Sequence, residues 1–150
     1  MLTDDMKSII KKANLGFVAT KNADGSPNLS PKSTLRPWDS DHLIFANLAS
    51  PQTVANLKKD SQIEINCIDF LARRGYRFTG KASLHSSGDD VFEQFLGILK
   101  EELGAETKMH DAVLIKITSV RPVTSPAYDK DGVTEEKLVK SYKTKYGVCT

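Results

Sequence analysis

Short apolar segments separated by turn residues dominate the first half of the chain. Residues 16–20 and 42–48 are compact apolar runs, whereas residues 62–68 and 76–84 alternate between apolar and polar positions. Both patterns are typical of β-strands with a buried face. The pair Asp24-Gly25 after the first run predicts a tight hairpin, because such a turn requires backbone φ angles above zero. These segments therefore predict an antiparallel sheet.

Helical spacing or helix-start signals mark residues 4–13, 50–60, 87–103 and 134–146. Ser50 followed by Pro51 is a strong start signal, because serine is a favoured N-cap and proline a favoured first helical residue. An apolar run at residues 112–120 predicts the last strand. About six strands and three or four helices predict one mainly β (α+β) domain over residues 1–150, a small antiparallel barrel with helices packed outside. An α+β sheet with one covered face is the alternative.

Residues 26–38 predict an irregular strand. Proline occupies positions 27, 31 and 37 and cannot donate a hydrogen bond to a ladder, so we expect a bent or bulged strand. Because successive side chains of a strand point to opposite faces, one face would carry Asn28, Ser30, Lys32, Thr34 and Arg36. The turn at residues 39–41 predicts that this strand pairs with residues 42–48. Such pairing would bring residues 32–34 towards residues 46 and 47.

The composition excludes several classes of protein. The formal net charge is +2 and the basic residues are spread along the chain, so a nucleic-acid partner is not expected. No apolar run approaches the ~20 residues of a membrane span, and the acidic N-terminus lacks the order of a signal peptide. We therefore expect no membrane association and a cytoplasmic location.

The two cysteines do not predict a disulfide framework. Cys67 lies in an apolar strand, and Cys149 is expected to be exposed.

No group of residues in the sequence predicts a catalytic or metal site. His42, His85 and His110 are far apart, and no neighbouring pattern of Asp and Ser suggests a triad or a zinc site. Lone histidines are mostly surface or structural residues. We therefore predict no catalytic side chain and no metal ligand.

The helix that starts after Ser50 is the best candidate for an anion site. Its first N–H groups have no intrahelical partner and its dipole places partial positive charge there, so a phosphate fits this end. Gln52 and Thr53 could add side-chain donors, and Lys32 would supply a full positive charge. In the alternative interpretation, Ser50 is simply an N-cap and Lys32 is a solvated lysine.

The order of these motifs resembles a known family. Residues 24–28, 30–34, 50–57 and 76–80 follow one another as a turn, a polar strand, a helix start and a glycine-containing strand. Across residues 15–82 this order is similar to the pyridoxamine 5'-phosphate oxidase-like, FMN-binding split-barrel family. The resemblance implies a split β-barrel that binds FMN at the interface of a homodimer.

The resemblance also implies which residues bind FMN. The polar strand would line the flavin ring and phosphate, a strand end would face the ring through its backbone, and the helix start would hold the phosphate. An arginine would reach the flavin of the partner subunit. In this order, the implied cofactor-binding residues are Ser30, Lys32, Ser33 and Thr34; Ala46 and Asn47; Gln52, Thr53 and Asn56; and Arg74.

Two departures from the family pattern narrow the expected activity. Gln52 and Thr53 stand where larger members have a basic pair, and residues 137–150 contain neither arginine nor tryptophan. In full-length pyridoxamine-phosphate oxidases a basic C-terminal segment grips the substrate phosphate. We therefore expect a small flavin-binding member of the family. Its expected function is FMN-dependent oxidation or reduction of a small molecule, with substrate and electron donor unidentified.

Other functions remain open at this point. The same fold could hold FMN as a non-catalytic redox or stress-related protein, or it could use a deazaflavin or haem. A barrel that binds single-stranded nucleic acid would need a basic, aromatic groove. A net charge of +2 and an aromatic content of 7% disfavour that last alternative.

Overall fold

The computed structural model describes residues 1–148, which form seven β-strands and four α-helices. The strands are β1 (Gly16–Lys21), β2 (Pro27–Lys32), β3 (Arg36–Pro37), β4 (His42–Asn47), β5 (Gln62–Asp69), β6 (Arg74–His85) and β7 (Asp111–Thr124). The helices are α1 (Asp4–Ala13), α2 (Pro51–Lys59), α3 (Asp90–Leu103) and α4 (Glu135–Tyr146), and Pro126–Asp129 form a turn of 3₁₀-helix. Cys149, which the sequence predicts to be exposed, lies outside the described residues.

The strands form one antiparallel sheet with the order β2-β1-β5-β6-β7-β4-β3, curled into a half-barrel with the helices on its flanks. The predicted mainly β, split-barrel fold is therefore confirmed. Strand β5 has the expected alternation, since Ile63 and Ile65 are buried while Glu64 is exposed. The main core cluster joins the sheet to α1 and α2, and its fully buried members include Ile9, Val18, Phe45, Ile65, Phe78 and Ile115.

Residues 26–38 form two strands in place of the single bent strand that the sequence predicts. Lys32 ends β2, which pairs with β1, so the predicted pairing of Lys32's strand with residues 42–48 is wrong. Only the two-residue strand β3 pairs with β4 across the turn at residues 39–41. The hydroxyl of Thr34, between the two strands, accepts a hydrogen bond of 2.9 Å from the backbone N–H of Ala46. This break raises the strand count from about six to seven.

Strand β7 is longer than the sequence predicts. It continues beyond residue 120 through Pro122 to Thr124, and Pro122 lies opposite Tyr76 of β6. Because β4 pairs only with residues 111–116, the last part of β7 is an edge strand, where a missing backbone donor is tolerated. The sequence predicts that Arg121-Pro122 ends this strand, but the pair lies within it, at an edge of the sheet.

Three helices begin with a side chain that caps their first turn. Thr3, Asp89 and Thr134 accept hydrogen bonds from backbone N–H groups of α1, α3 and α4. Ser50, which precedes α2, makes no such side-chain bond. The first turn of α2 therefore keeps donors that a capping side chain would otherwise satisfy. Of the helices in residues 1–148, none is long and apolar enough to cross a membrane.

Candidate functional site

A cavity of about 330 Å³ lies between residues 30–34 and the segment that leads into α2. It is named the Lys32 cavity here, and its lining residues are Ser30, Pro31, Lys32, Ser33, Thr34, Ala46, Leu48, Ala49 and Ser50. Five of the ten predicted cofactor-binding residues are among them. The structure thus brings together the polar strand and the end of β4, although β2 and β4 are not neighbours in the sheet.

Lys32 is the central charge of this cavity. The residue is only 5% exposed, and its Nζ donates hydrogen bonds to Ser30 Oγ at 2.5 Å and to Ser50 Oγ at 2.6 Å. Within residues 1–148 it forms no ion pair with a carboxylate. Burial therefore lowers the pKa of the ammonium group below its ordinary value. A buried cation without a counter-charge is unfavourable by itself, and a bound anion would compensate it.

Ser50 contributes to the cavity in a way that the sequence analysis missed. Its hydroxyl, read there as a possible N-cap, instead accepts a hydrogen bond from Lys32. By helix geometry, the N–H groups of Gln52 and Thr53 in the first turn of α2 have no intrahelical acceptor. The Lys32 ammonium, two serine hydroxyls and the positive end of the α2 dipole are therefore close together. The Ser50-Pro51 signal identified the helix start, but this signal cannot distinguish a capping serine from a binding serine.

Thr34 and Asn47 support the walls of the Lys32 cavity. Thr34 is buried and its bond to Ala46 holds residues 33–35 against β4. Asn47 Oδ1 accepts a hydrogen bond of 2.8 Å from the backbone N–H of Ser50, and its Nδ2 donates to Asp111 at 3.0 Å. These bonds fix the position of Ser50 relative to the sheet.

Gln52, Thr53 and Asn56 are not among the residues that line the Lys32 cavity. Thr53 and Asn56 are buried, and Asn56 Nδ2 donates to Thr20 Oγ1 at 3.0 Å and to Asn22 Oδ1 at 2.9 Å. The exposed Gln52 donates to Asn56 Oδ1 at 2.8 Å. The side chains of Gln52 and Asn56 join α2 to the β1–β2 hairpin. Contact of Gln52, Thr53 and Asn56 with FMN stays a prediction.

Arg74 lies in an ion-pair network that joins α1, β6 and α4. Its guanidinium donates two hydrogen bonds to Asp5 at 2.8 and 2.9 Å and one to Glu135 at 2.8 Å. Tyr76 also donates to Asp5. The bonds from Arg74 and then Tyr76 hold the pKa of Asp5 far below its usual range, and the bond to Asp5 raises the pKa of Arg74. That Arg74 reaches a partner's flavin stays a prediction, and its charge is shared by two carboxylates of its own chain.

Replacing Arg74 with glutamine is expected to lower the free energy of unfolding by about 1 kcal/mol at pH 7, because a bidentate pair and a second partner are lost. A carboxyl whose folded-state pKa is depressed stabilises the protein above its unfolded pKa and loses that contribution on acidification. The difference between variant and wild type should therefore shrink as the pH falls below 3.8, the ordinary pKa of Asp5, towards the lower pKa of the folded state. Urea unfolding at several pH values measures this, with the exposed Lys81→Gln on the same strand as control.

A second cluster, which the sequence analysis also missed, lies at the junction of β6 and α3. His85 Nε2 is 3.0 Å from Ser83 Oγ, and His85 Nδ1 is 3.0 Å from Asp89 Oδ1. The same Asp89 oxygen accepts hydrogen bonds from the N–H groups of Val91 and Phe92 at the start of α3. Because Asp89 caps the helix, the cluster is accounted for by its role in holding α3 against the sheet.

The outer face of β1 and β2 is unusually apolar for an exposed surface. Phe17 is 45% exposed and Leu29 is 67% exposed. Both line a shallow cavity of about 260 Å³ that also includes Asn66 and Arg77. Asn66 Oδ1 is buried and has no hydrogen-bond partner within residues 1–148. Adjacent exposed apolar side chains of this size commonly mark an interaction surface.

Comparison with known proteins places this chain in a family. Residues 2–124 match the sequence profile of the family described as Pyridoxamine 5'-phosphate oxidase. No curated protein sequence shows significant similarity to the chain. Among solved structures, HupZ of Group A Streptococcus is 30% identical with a TM-score of 0.75, and the match covers 83% of this chain and 96% of HupZ.

Two further solved structures have the same fold. A candidate pyridoxamine 5'-phosphate oxidase from Lactobacillus delbrueckii is 25% identical with a TM-score of 0.68, over 80% of this chain and 93% of its own. An FMN-binding protein from Syntrophomonas wolfei is 17% identical with a TM-score of 0.63, over 81% of this chain and 90% of its own, a likeness of fold alone. By its sequence match and its fold, the chain belongs to the pyridoxamine 5'-phosphate oxidase family.

Proposed function

We propose that this protein binds FMN and holds the cofactor's phosphate in the Lys32 cavity. The observation that carries the proposal is the buried Lys32 ammonium, which has two serine hydroxyls as neighbours and no carboxylate partner in the described part of the chain. A buried charge normally has a compensating partner. A phosphate dianion would provide that partner and would use the same donors.

The donor set of the cavity fits a phosphate group. Ser30 and Ser50 accept hydrogen bonds from Lys32 through their oxygens, so each hydroxyl hydrogen remains available to an anion. The first turn of α2 begins directly after Ser50, and although Gln52 and Thr53 do not line the cavity, the positive end of the helix dipole would favour an anion beside Ser50. Arginine or lysine at the start of α2 is not required in this arrangement, because the charge comes from Lys32 on β2. The binding set therefore consists of Lys32, Ser30, Ser50 and the α2 start.

The remainder of FMN would extend out of the Lys32 cavity along Ser33, Thr34 and Ala46. A volume of about 330 Å³ is at the lower end for a small-molecule pocket, so this cavity suits the phosphate and its linker better than a whole cofactor. In a homodimer formed through the face of Phe17 and Leu29, a second chain would cover part of the ring.

The proposed activity is redox chemistry on a small molecule. FMN, when bound, accepts and donates electrons or hydride, while the protein supplies binding, orientation and electrostatics. The residues of this chain would hold the phosphate and position the ring, and no side chain is assigned a proton-transfer role. The protein of the same fold from Syntrophomonas wolfei is an FMN-binding protein, which supports flavin binding by this fold.

Titration with FMN and with riboflavin tests the proposed function, because riboflavin has the same ring and no phosphate. We expect saturable FMN binding by absorbance and fluorescence, and riboflavin binding weaker by about ten-fold or more. Equal binding of both flavins, or no FMN binding at roughly tens of micromolar, would reject the phosphate site. Absorbance separates the other cofactors, at ~450 nm for FMN, ~420 nm for a deazaflavin and ~400 nm for haem. Turnover with reduced nicotinamide distinguishes an oxidoreductase from a non-catalytic flavin protein.

A further inference from the structure

A second, larger cavity of about 610 Å³ lies beside the Lys32 cavity. It is named the α1 cavity here and is bounded by α1, by residues 33–37 and by the end of α3. Ser33 and Thr34 line both cavities, so this dipeptide forms the wall between them. Its volume is within the range of pockets that bind small organic molecules, about 300–1,000 Å³.

One side of the α1 cavity is apolar. Ile10 of α1 and Leu35 are buried members of the core and form part of its lining. Leu103, the last residue of α3, also lines the cavity but is 56% exposed. An exposed leucine beside a buried isoleucine and leucine provides a surface that a flat apolar molecule would cover.

The other side of the α1 cavity is positively charged. Lys7 and Lys11 are one helical turn apart on the same face of α1, and neither forms an ion pair within residues 1–148. Arg36 also lines the cavity, but its guanidinium is already held by Glu102 through two hydrogen bonds of 2.6 and 2.9 Å. The charge of Glu102 is therefore committed to Arg36, and the two lysines leave the cavity with a net positive charge.

We propose that the α1 cavity is a separate binding site for a small amphipathic anion, namely an aromatic or other flat apolar body with one carboxylate, sulfonate or phosphate group. The apolar body contacts Ile10, Leu35 and Leu103, and the anionic group is held by Lys7 and Lys11. This site goes beyond the proposed flavin site and does not depend on it. A ligand in it would lie across the Ser33-Thr34 wall from the Lys32 cavity.

The test is a fluorescence titration of the whole protein with 8-anilinonaphthalene-1-sulfonate, an aromatic anion that brightens on transfer to an apolar site. Wild type should bind one molecule per chain saturably. The double substitution Lys7→Gln and Lys11→Gln should weaken binding by about ten-fold, and Leu103→Glu should do the same. Lys58→Gln with Lys59→Gln is the matched control, because it removes the same two charges from exposed lysines of another helix, α2. Its affinity should equal that of wild type.

Two results would overturn the proposal. The first is dye binding that stays unchanged when Lys7 and Lys11 are replaced. The second is competition by FMN, together with weaker FMN binding in the same double variant, because the α1 cavity would then be part of the flavin site. If the protein binds the dye in a lysine-dependent way but does not bind FMN, the α1 site is supported and the proposed flavin site is rejected. Failure of the flavin proposal can therefore be told apart from failure of the α1-site proposal.

Discussion

Replacing Lys32 with methionine is expected to weaken FMN binding by about ten-fold or more, which corresponds to at least ~1.4 kcal/mol. The substitution removes the buried charge that faces Ser30 and Ser50 but keeps an unbranched side chain of similar length. The apo protein should fold as well as wild type, because a desolvated ammonium without a carboxylate partner is replaced by an apolar group. Titrations followed by flavin fluorescence quenching measure the affinity, and thermal unfolding measures the stability.

Lys59→Met is the matched control for this prediction. Lys59 is exposed in the last turn of α2, so its loss changes the net charge equally without touching the Lys32 cavity. Unchanged affinity of Lys32→Met for FMN, with normal riboflavin discrimination, would show that phosphate binding does not use Lys32.

The pH dependence offers a second measure of the Lys32 charge. Burial lowers the pKa of Lys32 below 10.5, so in the apo protein its unfavourable burial is fully present at low pH and is relieved as the pH rises towards 10.5. Relative to Lys32→Met, the apo wild type should therefore gain stability with rising pH, while its advantage in FMN affinity should decrease as the ammonium loses its proton. Parallel pH profiles of the two proteins would contradict this.

Replacing Phe17 and Leu29 together with aspartate is expected to convert a dimer to a monomer. The two side chains lie on the same outer face, since Leu29 pairs with Ala19, two residues from Phe17. Both are about half exposed or more, and charges placed at the centre of an apolar interface would have to be buried without partners. Sedimentation or light scattering should give twice the chain mass of 16.6 kDa for wild type and a single chain mass for the variant. FMN affinity should fall in parallel if the second chain covers the ring.

Leu103→Asp is the control for the dimer prediction. Leu103 is a similarly exposed leucine at the end of α3, far along the chain from the β1–β2 face. Its replacement should leave the mass unchanged. A wild-type protein that is monomeric at micromolar concentrations would reject the proposed interface directly.

Local signals account for the part of the fold that the sequence predicts. The Asp24-Gly25 turn, the alternation in β5 and the Ser50-Pro51 helix start each depend on backbone dihedral preferences and burial over a few residues. The break between β2 and β3 can be predicted only in part from the sequence. Prolines indicate where the hydrogen-bond ladder is interrupted, but they do not indicate which strands β2 and β3 pair with. The sheet order decides that, and it depends on contacts between distant segments.

The candidate site also has some features that local sequence predicts and others that depend on tertiary packing. The sequence alone predicts that Lys32 lies on a polar strand and that a helix with free N–H groups begins after Ser50. The packing of distant elements is needed to show that Lys32 donates a hydrogen bond to Ser50 and that Arg74 is held by Asp5 and Glu135. It also shows that Lys7 and Lys11 line the same cavity as residues 33–37. The physical reason is that local sequence sets the conformation and face of an element, whereas a side chain's partner depends on which distant elements pack beside it.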